Sequence, residues 1–459
     1  MGSEYEDQFS LTNHICIAFT LIAITLVFRQ WMYEDIARTY CCLQSDNLDT
    51  LPLKEFWRFL LPYDGGGAGF THWSTSGMAV GEIIRRIVGN LHNANFVFIA
   101  LAMCSAYWCG WSLFKNIIPA VTLTLLIGLG THLNYAYYHN HVGVFHLYVA
   151  YLLLNITFAY NLIFQNEFKN ANKVGFFSSL MLVMLFSEIW INYFAFLLTS
   201  ILFLWCISVK RSDFEIRHRI KTAVFSVMTL MALYLPIRLS YGTHISTPGG
   251  EEEIIFTYPY IMLMLDDFLI NIFTYLHAAI TSFITPFFSF SNSLVFIGSE
   301  EIMAQQNGYH PAGNHLVSHS HLFMWRFVAG GMAFGFFYLL ISNTINSFST
   351  KNLLPVFIVL LCFMILFGFA SHSIIKYRPY NSAPFLTYKC ITSVIGVYLL
   401  TTAYISFLNS TRSRLVSYGA CFILILLILS NSATRPYYEN SAYNETHLWY
   451  KKPYTDFSF

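Results

Sequence analysis

Apolar runs close to 20 residues long recur from one end of this sequence to the other. A bilayer's hydrocarbon core takes about 20 residues of helix to cross, and inside lipid the backbone must satisfy its own hydrogen bonds. A chain dominated by such runs folds as helices packed within a membrane. The runs fall near 11–29, 96–114, 117–136, 143–164, 174–188, 191–208, 222–239, 325–345, 353–371, 388–407 and 415–431. Composition agrees: of 459 residues 56% are hydrophobic and 11% charged, whereas soluble domains carry about 25% charged residues. The expected fold is all-α, a polytopic integral membrane protein with about 11 transmembrane helices. No internal repeat or low-complexity linker divides it, so 1–459 reads as one membrane domain.

Short loops set the orientation, because Lys and Arg accumulate on the cytoplasmic side. Lys115, Lys169 and Lys173, the run from Lys210 to Lys221, Lys351, and Arg412 with Arg414 fall in alternate loops. Placing them inside makes the N-terminus cytoplasmic and the C-terminus non-cytoplasmic. The outer side then carries two long segments, 30–95 and 240–324, and the tail 432–459. The first contains SGMAVGEIIRRIVG, in which Met78, Val80, Ile83, Ile84 and Ile87 share one face. That pattern predicts an amphipathic helix lying along the membrane. Residues 268–290 are apolar enough either to cross the bilayer or to re-enter it.

Several function classes are disfavoured early. A formal net charge of +1 points to no nucleic-acid partner. Nine scattered cysteines show no zinc or disulfide spacing. A transporter would be expected to carry mid-span charges and broken helices in paired halves, and neither pattern stands out.

The polar residues that carry chemistry cluster on the outer side. Glu34 and Asp35, in WMYEDIARTY, follow directly on the first run and open the first long outer segment. A carboxylate at a helix end is usually just solvated, and Arg38, one turn on, is a ready ion-pair partner. LPYDGGGAGFTHW supplies Asp64, His72 and Trp73 around a glycine turn that allows close backbone approach to a ligand; such turns are as often plain connectors. Glu188 ends the fifth run at the boundary, where solvation is its ordinary fate. Arg326 and Arg378 are outward-facing cations suited to a phosphate, with snorkelling to lipid headgroups as the alternative.

The order of first span, acidic pair, long outer segment and amphipathic helix resembles the GT-C superfamily of integral membrane glycosyltransferases. The resemblance covers roughly the first 240 residues and rests on the two-residue motif Glu34–Asp35. It implies transfer of a sugar from a polyprenyl-phosphate-type lipid carrier to an acceptor on the non-cytoplasmic face. Such transfer needs a base for the acceptor proton and cations near the leaving phosphate. Asp35 is the candidate base, and Glu34 its substitute or a ligand for a divalent cation. Asp64, His72, Trp73, Glu188, Arg326 and Arg378 are candidates for holding substrate.

Three other readings stay open. A His-dependent metal enzyme would use His315, His319 and His321 in GNHLVSHSH, although only one box of the di-iron membrane enzymes is matched. The remaining two are a transporter and a non-catalytic subunit of a larger membrane complex.

Overall fold

The computed structural model describes residues 10–40, 83–84, 87–88, 91–130, 144–165, 169–186, 190–210, 212–240, 335, 338–339, 341–342, 354–367, 391–411, 418–420, 422, 424 and 426. Every regular element among them is helical: α1 (Leu11–Tyr40), α2 (Leu91–Phe114), α3 (Ile117–Leu129), α4 (Val144–Phe164), α5 (Lys169–Phe186), α6 (Trp190–Lys210), α7 (Phe214–Ser240), α8 (Leu354–Phe367) and α9 (Ile391–Thr411). Four stretches are long and apolar enough to cross a membrane: Phe96–Phe114, His146–Phe164, Tyr193–Lys210 and Ile391–Leu408. Leu11–Val27, Ile117–Leu129 and Pro355–Leu366 are shorter apolar helical stretches.

Packing is centred on α2 and α4. α3 lies against α2, and α5 against α4; α8 and α9 pair, with α9 reaching α3 and α8 reaching α6. α7 closes over α4, α5 and α6, and α1 leans on α2 and α3. The fully buried large side chains include Phe98, Tyr148, Phe176, Tyr193 and Tyr398, one from each of five helices.

Local chemistry explains the turns. Between α2 and α3 only Lys115 and Asn116 intervene. Lys115 takes a positive φ of 48°, and the Asn116 side chain accepts from the Ile118 amide at 2.9 Å, an N-cap that occupies one of the helix's free donors. The two helices meet so closely that a Cβ on Gly110 would stand 2.7 Å from the Ala120 Cα. The α6–α7 turn repeats the scheme, with Ser212 at φ 55° and the Asp213 carboxylate accepting from the Ile216 amide at 3.0 Å.

Hydrogen bonds gather several helix ends at one face. Arg219 donates to the carbonyls of Ile163 (3.1 Å) and Gln165 (3.3 Å) at the end of α4. Arg217 donates to the Ser208 carbonyl near the end of α6, at 3.0 Å. Gln165 reaches the Ser112 carbonyl near the end of α2 at 3.4 Å. A helix's last carbonyls lack intrahelical partners and carry the negative end of its dipole, so arginine meets both needs. The ends of α2, α4 and α6 and the starts of α3 and α7 therefore share a side, here called the basic face. The common side expected for Lys115 and the Lys210–Lys221 run follows directly.

Candidate functional site

The course of α1 governs where the acidic pair stands. Near its start, His14 Nδ1 lies 2.9 Å from the Tyr107 hydroxyl, and its ring sits 4.3 Å from that of Trp111. Two turns on, Ile22 packs with Ile99 and Met103. Rising numbers in α1 thus meet falling numbers in α2, so the two helices run antiparallel. α2 ends at the basic face, and α1 leaves from it. At 1.5 Å per residue, the 20 positions from His14 to Glu34 advance about 30 Å along the helix axis, the thickness of a bilayer core.

The helix does not stop where hydropathy falls. A span over 11–29 was expected, with the acidic pair opening the following loop; instead α1 continues to Tyr40 and includes Glu34, Asp35 and Arg38. Exposed apolar side chains mark its first part, through Leu11, Ile15, Phe19, Ile24 and Val27. Glu34 lies seven positions beyond Val27, about 10 Å further along the axis. The pair is therefore held on helical backbone, beyond the apolar stretch and away from the basic face.

Two described fragments of the expected amphipathic segment, 83–84 and 87–88, are helical. Ile84 and Val88 pack on the core, while Ile87 is 77% exposed. The protein-facing stripe thus runs through 84 and 88, one turn apart, and Ile87 looks away from the protein. Asp64, His72, Trp73, Glu188, Arg326 and Arg378 lie outside the described residues, as do His315, His319 and His321 and the segment 268–290. Among the described residues no three His, Cys, Asp or Glu side chains converge on a point that would hold a metal.

Sequence reasoning passed over a buried polar knot. Asn155, fully enclosed in α4, donates through Nδ2 to the Phe176 carbonyl (3.0 Å) and to the Ser179 hydroxyl (2.9 Å) on α5. Its Oδ1 accepts from the Tyr193 hydroxyl of α6 at 2.7 Å. Ser179 in turn donates to the Gly175 carbonyl at 2.6 Å. Gly175 itself faces the Phe158 ring so closely that any Cβ would collide with it. The signal was present, an Asn inside HLYVAYLLLNITFAY. A polar side chain within a span turns to the protein interior and pairs there. With its donors and acceptor engaged by two neighbouring helices, Asn155 is a structural clamp rather than a site.

Comparison with protein-family models, with curated proteins and with solved structures finds no match to this chain.

Proposed function

We propose that this chain is a membrane glycosyltransferase that moves a sugar from a polyprenyl-phosphate-type carrier to an acceptor on the face opposite the basic one. The basic face is then cytoplasmic, by the positive-inside rule. The observation that supports the reading is the course of α1, which starts at the basic face and carries Glu34 and Asp35 in its later turns. A carboxylate toward the C-terminal end of a helix gains nothing from the dipole. A residue that breaks a local preference is a candidate for function.

In this reading the Asp35 carboxylate takes the proton of the acceptor hydroxyl. The acceptor oxygen forms its bond to the sugar's anomeric carbon as the bond to the carrier phosphate breaks. The phosphate leaves with the electron pair, and cations such as Arg326 and Arg378 offset its growing charge. A headgroup-bound donor brings its anomeric carbon to the membrane boundary, the level at which a helix extending beyond its apolar stretch presents its side chains. Asp64, His72, Trp73 and Glu188 are the candidates for gripping sugar and acceptor.

The test is transfer of labelled sugar from polyprenyl-phosphate donors by the full chain in vesicles. Asp35→Asn is expected to lower transfer by about 100-fold or more, the scale of a lost general base, and Glu34→Gln by less. Undiminished transfer in both variants would overturn the proposal.

A further inference from the structure

An apolar cavity of about 80 Å³ lies between α4, α5, α6, α7 and α8. Engineered apolar cavities about twice that size stay free of water and take up benzene. Its walls include Ile156, Phe164, Leu204, Phe357 and Met364, with Ser200 beside them. The Ser200 hydroxyl is buried and, among the described residues, has no hydrogen-bond partner, whereas the Tyr193 hydroxyl on the same lining donates to Asn155. The lining is therefore almost wholly apolar and suited to hydrocarbon.

Part of its wall lies toward the basic face, while on α6 the lining runs from Leu204 back to Tyr193, near that helix's other end. The α4 wall is the last stretch of that helix, from Ile156 to Phe164, and the α7 wall is Ala223, close to that helix's start. Both lie toward the basic face. Lys173 stands one turn before the lining residue Phe176, and Arg219 one turn before Ala223. Arg219 is hydrogen-bonded to the carbonyl of Ile163, itself a lining residue. Lys115, Lys173, Lys210 and Lys221 are all exposed on this side. Cations clustered where helices meet the membrane attract anionic headgroups.

We infer that the cavity holds a segment of the acyl chain of an anionic phospholipid from the basic-face leaflet, with its phosphate headgroup held by Lys173 and Lys221. The acidic pair lies toward the opposite end of the bundle, so this site stands apart from sugar transfer and does not depend on that proposal.

The experiment is native mass spectrometry of the full chain released from detergent with dioleoyl phosphatidylglycerol or dioleoyl phosphatidylcholine, and with a polyprenyl phosphate as competitor. Phosphatidylglycerol should be retained preferentially. Lys173→Gln with Lys221→Gln should weaken it roughly fivefold for each charge removed. Ala223→Phe or Ser200→Leu, which fill the cavity, should abolish its retention in protein that still elutes as a folded species. Equal retention of the two phospholipids by the wild-type chain would overturn the assignment, whether or not the filled variants fold. So would unchanged phosphatidylglycerol binding in a folded Ala223→Phe or Ser200→Leu protein. Displacement of phosphatidylglycerol by an equal concentration of polyprenyl phosphate would also overturn it, in favour of the donor's own chain.

Discussion

The two ends of this bundle use charge differently. At the basic face, Arg217 and Arg219 are absorbed by the architecture: they donate to carbonyls near the ends of α6 and α4, and Arg219 also pairs with Glu215 one turn away. At the far end of α1, Glu34 and Asp35 sit toward a helix C-terminus, where a carboxylate has no carbonyl to satisfy and no dipole to complement. The basic charges find a folding role in these carbonyls; the helix dipole offers the acidic ones none. The contrast teaches that a charged motif standing where the helix dipole does not favour it is a candidate for function.

Variants can break that contrast. The largest expected effect is on the acidic side: Asp35→Asn should cut sugar transfer by about 100-fold or more while leaving the thermal unfolding midpoint in detergent where it was. A fall in that midpoint comparable to those below would return Asp35 to a structural role. Asn155→Leu should be the costliest of the folding variants, at about 2–3 kcal/mol, because it removes three interhelical hydrogen bonds and strands the Tyr193 hydroxyl. Gly175→Leu drives a side chain into the Phe158 ring and should cost about 2 kcal/mol by overpacking; both are read from denaturant or thermal unfolding. Arg219→Gln sharpens the comparison most directly. It should destabilise by about 1 kcal/mol through the lost cap on α4, with little of that from the largely solvated pair to Glu215, and transfer by the folded fraction should match the wild type.

Much of the helical layout was legible in the sequence, because a span needs a long apolar run and little else has one. The ends were less legible. Hydropathy follows the surroundings of a helix, not its hydrogen bonding, so the polar turns from Gln30 to Tyr40 in α1 and from Phe214 to Lys221 in α7 were read as loop. α3, expected over 117–136, is described as Ile117–Leu129, and 131–136 lie outside the described residues. The shared side of Lys115 and the Lys210–Lys221 run was readable from alternation alone, while Lys351, Arg412 and Arg414 lie outside the described residues. The clamp at Asn155 was not, since its partners Phe176, Ser179 and Tyr193 are set by how three helices dock rather than by spacing. For the site, the sequence offered the motif Glu34–Asp35 and, through the loop alternation, the antiparallel sense of the first two spans; what it lacked was the docking of α1 on α2, carried by His14, Tyr107, Trp111, Ile22 and Met103.

The short α3 has a bearing on how the protein is made. Its 13 residues rise about 20 Å, less than a bilayer core of about 30 Å, and ten of them are buried by neighbouring helices. Lipid alone would hold such a segment poorly. Its tight hinge to α2 at Lys115–Asn116 makes the two a preformed hairpin, which an insertion machinery can release as one unit. The Gly110–Ala120 contact then lets that hairpin close before α9 has been synthesised to cover its other side, so the order of the chain matches the order in which α3 needs its neighbours.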